Sequence, residues 1–217
     1  MSYARIILVT DPAFDDDRIV RCVDHAGRAL PPGGLCVQLR DKERPRATVQ
    51  ALAIRLRQIT RDCGAALVIN GDAIIARAAE ADGVHLGRGA GTPWEVRRTC
   101  GAHTWISVAA HSDDAVCLAI ASEADAVLVS PVFPTRSPSP GGPPPQKAPR
   151  GVGALRSARA LAGHRVLVYA LGGVNAGNAS LCREAGADGV AVVRALLASE
   201  DPACIARVLH DALSARC

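Results

Sequence analysis

The chain has few aromatic residues and little net charge. Phe, Trp and Tyr make up 3% of its 217 residues, whereas hydrophobic residues make up 49%. Ala, Val, Leu and Ile must therefore fill the interior, as is typical of a parallel sheet covered by helices. The formal net charge is +4, with acidic and basic residues mixed along the chain. A surface with so few rings and no basic concentration predicts no nucleic-acid partner.

Metal-binding cysteine motifs and export signals are also missing. The eight cysteines form no Cys-x-x-Cys pair and show no regular spacing, so the usual zinc and dithiol motifs are excluded. We interpret them as reduced thiols of a cytoplasmic protein. The N-terminus passes directly into the strand-like segment Ile6–Val9 without a basic region or a long apolar run. We therefore expect no signal peptide, no membrane span and no membrane partner.

Short apolar segments alternate with helical patterns along the whole chain. Val49, Leu52 and Leu56 have the spacing of a helix with one buried face, and Val208 and Leu209 belong to a similar pattern near the end. Eight strand–helix units predict an α/β protein, a single-domain (β/α)8 TIM barrel over residues 1–217. An open doubly wound sheet is the alternative, but no Gly-x-Gly-x-x-Gly follows the first strand. The expected strands are Arg5–Thr10, Leu35–Leu39, Ala66–Asn70, Gly83–Leu86, Trp105–Ala109, Ala126–Ser130, Val166–Leu171 and Gly189–Val193.

The second strand ends in polar and basic residues. Gln38, Arg40 and Lys42 come at the end of an apolar run, and in a barrel the carboxyl ends of the strands form the face where ligands bind. This pattern predicts an anionic ligand. The alternative is a solvated turn in which Arg40 and Lys42 pair with Asp41 and Glu43.

Two later strand ends are suited to phosphate. Gly172 and Gly173 lack side chains at a strand-to-helix turn, so main-chain amides there can approach a ligand closely. Val193 and Arg194 end the last strand just before another helix. Since barrels commonly bind phosphate after their seventh and eighth strands, we expect these four residues at a phosphate site. A plain glycine turn is the alternative.

His111 is the candidate proton carrier. It follows the fifth strand, and the next residue, Ser112, is a plausible helix N-cap. A histidine at that rim can exchange protons near neutral pH, although it could instead only bind loop main chain. His85 lies within an apolar strand and is predicted to be a structural histidine.

The longest irregular segment, roughly residues 134–151, is rich in Pro, Gly and Ser. Such a segment is typical of a mobile lid or a disordered excursion. Its proline-rich part, Pro138 to Pro149, could also present an extended surface to a partner.

Six ordered motifs resemble the thiamine phosphate synthase/TenI superfamily and cover nearly the whole chain. The resemblance implies a (β/α)8 barrel that handles a small phosphorylated thiazole or thiamine intermediate, and it adds Asn70 and Thr135 to the substrate-binding residues. The motifs are Val37-Gln38-Leu39-Arg40-Asp41-Lys42, Leu67-Val68-Ile69-Asn70, Ala81-Asp82-Gly83-Val84-His85-Leu86-Gly87, Ser130-Pro131-Val132-Phe133-Pro134-Thr135, Ala170-Leu171-Gly172-Gly173-Val174 and Gly186-Ala187-Asp188-Gly189-Val190-Ala191-Val192.

The resemblance implies one of two chemistries. Thiamine phosphate synthases join a pyrimidine pyrophosphate to a thiazole phosphate and hold Mg²⁺ with carboxylates directly after the third-strand Asn and after the Gly-Val-His-Leu-Gly segment. Here Gly71 follows Asn70, and Arg88-Gly89-Ala90 occupies the second region. Ala109 replaces a family serine, and Thr135-Arg136-Ser137-Pro138 replaces a Thr-x-Thr-Lys motif.

The TenI thiazole tautomerases instead resemble this chain in having Asn-Gly after the third strand and a His-Ser pair after the fifth. We therefore predict a metal-independent and cofactor-independent aromatisation of a carboxythiazole phosphate, in which His111 moves the proton. Gln38, Arg40 and Lys42 are expected near the ring and its carboxylate. Thiamine phosphate synthesis with Mg²⁺, in which Asp72 or a residue of the long irregular segment replaces the lost ligands, is one alternative. A non-catalytic barrel that binds a thiamine-related phosphate is another, and a homo-oligomer is left open.

Overall fold

The computed structural model describes residues 4–87, 89–135 and 148–214. Eight parallel strands close into a barrel in sequence order, which confirms the predicted (β/α)8 fold. The observed strand bounds agree with the expected bounds within one residue at each end. The strands are β1 Ile6–Val9, β2 Leu35–Leu39, β3 Ala66–Asn70, β4 Gly83–Leu86, β5 Trp105–Ala110, β6 Ala126–Val129, β7 Leu167–Leu171 and β8 Gly189–Val192.

Helices surround the barrel, and the last of them packs against the first. No helix in the described ranges is long and apolar enough to cross a bilayer. The helices are α1 Asp16–Arg28, α2 Arg46–Asp62, α3 Ala73–Ala78, α4 Pro93–Cys100, α5 Asp113–Ala121, α6 Gly153–Ala162, α7 Ala179–Glu184, α8 Arg194–Leu197 and α9 Pro202–Ser214.

The buried face of α9 differs from the predicted one. Val208 was expected on that face but is 43% exposed, whereas Ala206, Leu209 and Leu213 are buried. The three buried residues share one stripe at i, i+3 and i+7. Val208 lies just beside this stripe, so its apolar character alone gave the wrong prediction.

The interior of the barrel changes from apolar to polar along the strands. Ile7, Val68 and Tyr169 fill its lower part. Higher up, Asn70, His85 and Ser107 are register partners on β3, β4 and β5. Because the carboxyl ends of the strands share one face, these polar side chains approach the end of the barrel where a site is expected.

Three aspartate clamps close the opposite, amino-terminal end. In each clamp an aspartate directly before an even-numbered strand accepts a main-chain N–H from the preceding strand. The same carboxylate pairs with an arginine of the helix that comes before this odd-numbered strand. The clamps are Asp82 with Leu67 N–H and Arg57, Asp125 with Ile106 N–H and Arg97, and Asp188 with Val168 N–H and Arg159.

Candidate active site

A cavity of about 610 Å³, here called the main cavity, lies at the carboxyl ends of β1, β2, β7 and β8. The structure brings six predicted site residues together in its lining. They are Arg40, Thr135, Gly172, Gly173, Val193 and Arg194. Arg40, at the end of β2, therefore lines the same cavity as the predicted phosphate loops.

Two polar residues that line the main cavity were not among the predicted site residues. Asp11 lies two residues after the end of β1, and its carboxylate accepts the N–H of Ala13. Asn175 follows the glycine pair of the β7–α7 loop. Both come just after strand ends, and their positions in the sequence were the signal that could have identified them.

The β7–α7 loop requires both of its glycines. Gly172 and Gly173 have φ values of 95° and 66°, which favour glycine. A Cβ atom at Gly172 would lie 2.8 Å from Cα of Pro131, and one at Gly173 would lie 2.5 Å from the carbonyl oxygen of Pro134. The loop therefore packs main chain against main chain with the β6–α6 loop, and this contact shapes one wall of the main cavity.

Asn178 holds the same loop from the other side. Its side-chain amide donates to the carbonyl of Gly173 at 3.0 Å, and its side-chain oxygen accepts the N–H of Asn175 at 2.8 Å. These two hydrogen bonds fix the turn that follows β7. The loop is preorganised in this way before any ligand binds.

Arg40 and Lys42, the cations after β2, form no ion pairs with the acidic residues of their own turn. Asp41 accepts the N–H groups of Glu43 and Arg44 at 3.0 Å and pairs with the Arg44 guanidinium. Among the residues described, neither Arg40 nor Lys42 has a carboxylate within 4.0 Å. The solvated-turn alternative, in which they pair with Asp41 and Glu43, is therefore wrong.

Arg40 and Lys42 line different cavities. Lys42 and Asn70 line a smaller cavity of about 140 Å³, together with Asp72. Gln38 is 3% exposed and donates its side-chain amide to the side-chain oxygen of Asn70 at 3.3 Å. Lys42 and Asn70 thus line a neighbouring cavity, and the hydrogen bond between Gln38 and Asn70 links that cavity to the barrel interior.

His111 is half-buried and oriented by the start of the β6–α6 loop. Its Nδ1 lies 2.9 Å from the carbonyl oxygen of Ser130 and 3.2 Å from the hydroxyl of the same residue. Because a carbonyl only accepts hydrogen bonds, Nδ1 carries the proton of the neutral ring, and Nε2 has the free lone pair. Ser112 caps α5 by accepting the N–H of Ala115, as predicted.

His85 has the structural position that was predicted for it. Its Nδ1 lies 2.8 Å from the Ser107 hydroxyl inside the barrel. Burial, assisted by the positive charges of Lys42, Arg40 and His111, lowers the pKa of His85 to about 4. His85 is therefore neutral at physiological pH, and the predicted site residues at this end of the barrel contribute to its electrostatic environment.

The described residues do not fit the magnesium site that the synthase resemblance implies. Position 71 is Gly, at a φ of 75°, and a Cβ built there would lie 3.7 Å from Cβ of Ala90. The two positions where carboxylates are expected therefore adjoin, but neither has an acidic side chain. In the described ranges, no cluster of three or more His, Cys, Asp or Glu residues could hold a metal ion.

Asp72 does not replace the lost ligands. One carboxylate oxygen accepts the N–H groups of Ile74 and Ile75 as the N-cap of α3, and the other pairs with Arg46 at 2.9 Å. Both oxygens are thus committed to the protein.

A closed (β/α)8 barrel with its cations, glycine loop and histidine at the carboxyl ends of the strands defines the class: a barrel enzyme. A family model described as thiamine monophosphate synthase matches residues 6–196, and the chain belongs to that family. It is accordingly an enzyme of thiamine biosynthesis, of the thiamine-phosphate synthase type.

Individual relatives agree with this assignment. The chain is 39% identical over 189 residues to a putative thiamine-phosphate synthase of Geobacter sulfurreducens, covering 87% of this chain and 85% of that protein. It is 37% identical over 210 residues to a thiamine-phosphate synthase of Methanoculleus marisnigri, covering 97% and 95%. A thiamine phosphate pyrophosphorylase from Pyrococcus furiosus superposes with a TM-score of 0.82 at 25% identity, covering 98% of this chain and 96% of that one.

Proposed function

We propose that this enzyme is a thiazole tautomerase of the TenI type, which aromatises a carboxythiazole phosphate without a metal ion. The observation that carries the proposal is the orientation of His111, whose Nδ1 proton is directed to the Ser130 carbonyl so that Nε2 can act as a base. The adjoining positions Gly71 and Ala90 also support it, because neither supplies a carboxylate for the Mg²⁺ ion of a synthase.

The reaction needs one group that both accepts and returns a proton. Nε2 of His111 accepts a proton from the non-aromatic ring, and the resulting imidazolium returns it at a second carbon, so the oxidation state is unchanged. The Ser130 carbonyl keeps its hydrogen bond to the Nδ1 proton throughout. A transfer of this kind releases no pyrophosphate, so the reaction does not need a metal clamp on a leaving group.

The remaining predicted residues are assigned to substrate binding. Gly172, Gly173, Val193 and Arg194 would hold the phosphate group, in a part of the barrel where phosphate commonly binds. Arg40 and Lys42, which lack carboxylate partners among the described residues, would hold the carboxylate and the ring with Gln38 and Asn70. Thr135 contributes the wall from the β6–α6 loop. The small phosphorylated thiazole is thus the proposed partner of this site.

The relatives of one organism are consistent with a specialised member of the family. Geobacter sulfurreducens has the putative thiamine-phosphate synthase and also a thiamine biosynthesis bifunctional protein ThiED, which is 32% identical to this chain over 201 residues. Two family members in one organism are compatible with two different activities. The chain is more similar to the unfused protein.

The decisive experiment measures aromatisation of the non-aromatic carboxythiazole phosphate in excess EDTA. We expect turnover in EDTA, and a loss of about 100-fold or more in His111→Ala because the general base is removed. His103→Ala is the control, since His103 is an exposed histidine on a distant loop. Strict dependence on Mg²⁺, or unchanged turnover in His111→Ala, would contradict the proposal.

A second candidate function is thiamine phosphate synthesis, and the printed names of the relatives favour it. The hydrogen-bonded pair Gln38 and Asn70 and the cations Arg40 and Lys42 are also compatible with it. Incubation with pyrimidine pyrophosphate, thiazole phosphate and Mg²⁺ tests it through release of pyrophosphate. Release that survives His111→Ala would favour the synthase over the tautomerase.

Saturable binding without turnover in either assay would instead indicate the non-catalytic alternative. The partner surface considered for that alternative, Pro138 to Pro149, lies mostly outside the described residues.

A further inference from the structure

Thr10 and Arg40 are joined by two side-chain hydrogen bonds at the point where β1 and β2 end. The Thr10 hydroxyl accepts the main-chain N–H of Arg40 at 2.8 Å and lies 3.3 Å from the Arg40 carbonyl oxygen, to which it donates. The main-chain N–H of Thr10 donates to the carbonyl of Gln38 at 3.0 Å. Thr10 is 2% exposed, so water does not compete for these bonds.

This anchor matters because the Arg40 side chain has no ion pair of its own among the described residues. Arg40 comes directly after the last residue of β2 and is exposed. In the part of the chain that the structure describes, its guanidinium has no carboxylate partner within 4.0 Å. The neighbouring acid, Asp11, lines the same cavity but accepts the N–H of Ala13. The two hydrogen bonds of the Thr10 hydroxyl fix the main chain from which the Arg40 side chain leaves.

We propose that Thr10 is a positioning residue that orients Arg40 toward the anionic group of the substrate in the main cavity. The inference rests on the proposed role of Arg40 in anion binding and is independent of the tautomerase reaction. Thr10 itself does not contact the substrate. Its effect on affinity passes entirely through Arg40.

The variant that isolates the hydroxyl is Thr10→Val, which keeps the branched shape and loses both hydrogen bonds. The variant leaves the main-chain N–H of Arg40 without this acceptor, and we expect that loss to lower stability without preventing the barrel from folding. Thr10→Ser is the matched control, because it keeps the hydroxyl and loses only a methyl group. Thr10→Ala replaces Thr10→Val if the valine variant does not fold as judged by circular dichroism.

A double-mutant cycle then separates positioning from general stability. The probe is the aromatic carboxythiazole phosphate, and the measurement is its dissociation constant by calorimetry. We expect Thr10→Val to weaken binding about 10-fold and Thr10→Ser about 2-fold at most. In the Arg40→Ala background, Thr10→Val should weaken binding no further.

The inference is overturned if Thr10→Val weakens binding by the same factor in both backgrounds, or does not weaken it in either. It is also overturned if the unsubstituted protein does not bind the probe. Binding that is coupled in this cycle while the protein aromatises no substrate would reject the proposed reaction and leave the role of Thr10 supported.

Discussion

Two histidines at the same end of the barrel have opposite surroundings. His85 is buried on β4, and its Nδ1 forms a hydrogen bond with the Ser107 hydroxyl. His111 is half-buried, and its Nδ1 forms a hydrogen bond with the main-chain carbonyl of Ser130. The first arrangement keeps a ring neutral and fixed, and the second leaves a ring nitrogen free to act. The sequence predicted this difference in surroundings, since His85 has apolar neighbours along a strand and His111 follows a strand.

The buried histidine makes stability depend on pH. Burial lowers the pKa of His85 from its ordinary 6.5 to about 4. Between these values the unfolded chain binds a proton that the folded chain does not, so the free energy of unfolding falls as the pH falls. From about pH 7 to about pH 5, we expect His85 to account for a loss of about 2 kcal/mol in urea unfolding.

The substitution His85→Gln should remove that part of the pH dependence. His103→Gln, at an exposed histidine, is the control and should retain it. The prediction is wrong if the wild type and His85→Gln lose stability in parallel over this range.

The partners of single residues were the least predictable part of the site. The sequence placed Arg40, Gly172, Gly173 and Arg194 at strand ends that share one face, and the structure puts all four around the main cavity. It did not indicate that the Thr10 hydroxyl holds Arg40, because that contact joins residues 30 positions apart. Apolar periodicity locates strands and helices but contains no information about such pairings.

At the scale of elements, the loops after β6 and β7 act as one unit. The close approach of Gly173 to Pro134 means that neither loop can change its main chain alone. Gly-Gly in the sequence indicated a turn with exposed amides. Its contact with the preceding loop was not predictable, because the partner lies beyond the intervening helix in the sequence.

Gly173→Ala should therefore impair ligand binding as well as folding. We expect a loss of unfolding free energy of about 1–3 kcal/mol from strain at positive φ and contact with Pro134. Affinity for inorganic phosphate, measured by calorimetry, should fall about 10-fold or more because the loop is displaced.

Gly163→Ala provides the control for that prediction. Gly163 also has a positive φ, of 56°, but a Cβ there meets no atom within 4 Å. It ends α6, away from the main cavity. This variant should lose stability while keeping its phosphate affinity, and equal losses of affinity in both variants would contradict the proposed role of the loop.

At the scale of the whole molecule, the two ends of the barrel have separate tasks. The candidate site occupies the carboxyl end, and the three aspartate clamps occupy the amino end. The (β/α)8 fold was predictable from eight strand–helix units. The clamps were not predicted, although Ala-Asp-Gly-Val, Ala-Asp-Ala-Val and a second Ala-Asp-Gly-Val occur at residues 81–84, 124–127 and 187–190.

A clamp should contribute to stability without affecting catalysis. The carboxylate of Asp82 is 20% exposed and satisfies both the Arg57 guanidinium at 2.7 Å and the Leu67 N–H at 2.8 Å. Asp82→Ala leaves both donors without this partner, so we expect a loss of about 2 kcal/mol in urea unfolding.

The matched control is Asp17→Ala. Asp17 pairs with Arg55 at the same distance of 2.7 Å, but its side chain is 69% exposed. Screening by water makes such a pair weak, and stability should not change measurably. A similar loss in both variants would show that partial burial of the Asp82 clamp adds nothing.

The clamps also divide the barrel into exchangeable parts. Each clamp is complete within a helix–strand–helix–strand segment, beginning at α2, α4 or α6 and ending with β4, β6 or β8. A relative such as the Pyrococcus furiosus protein that receives one whole segment of this chain therefore inherits both partners of its clamp. Crossovers inside a segment separate an arginine from its aspartate, and such recombinants should be recovered in folded form less often.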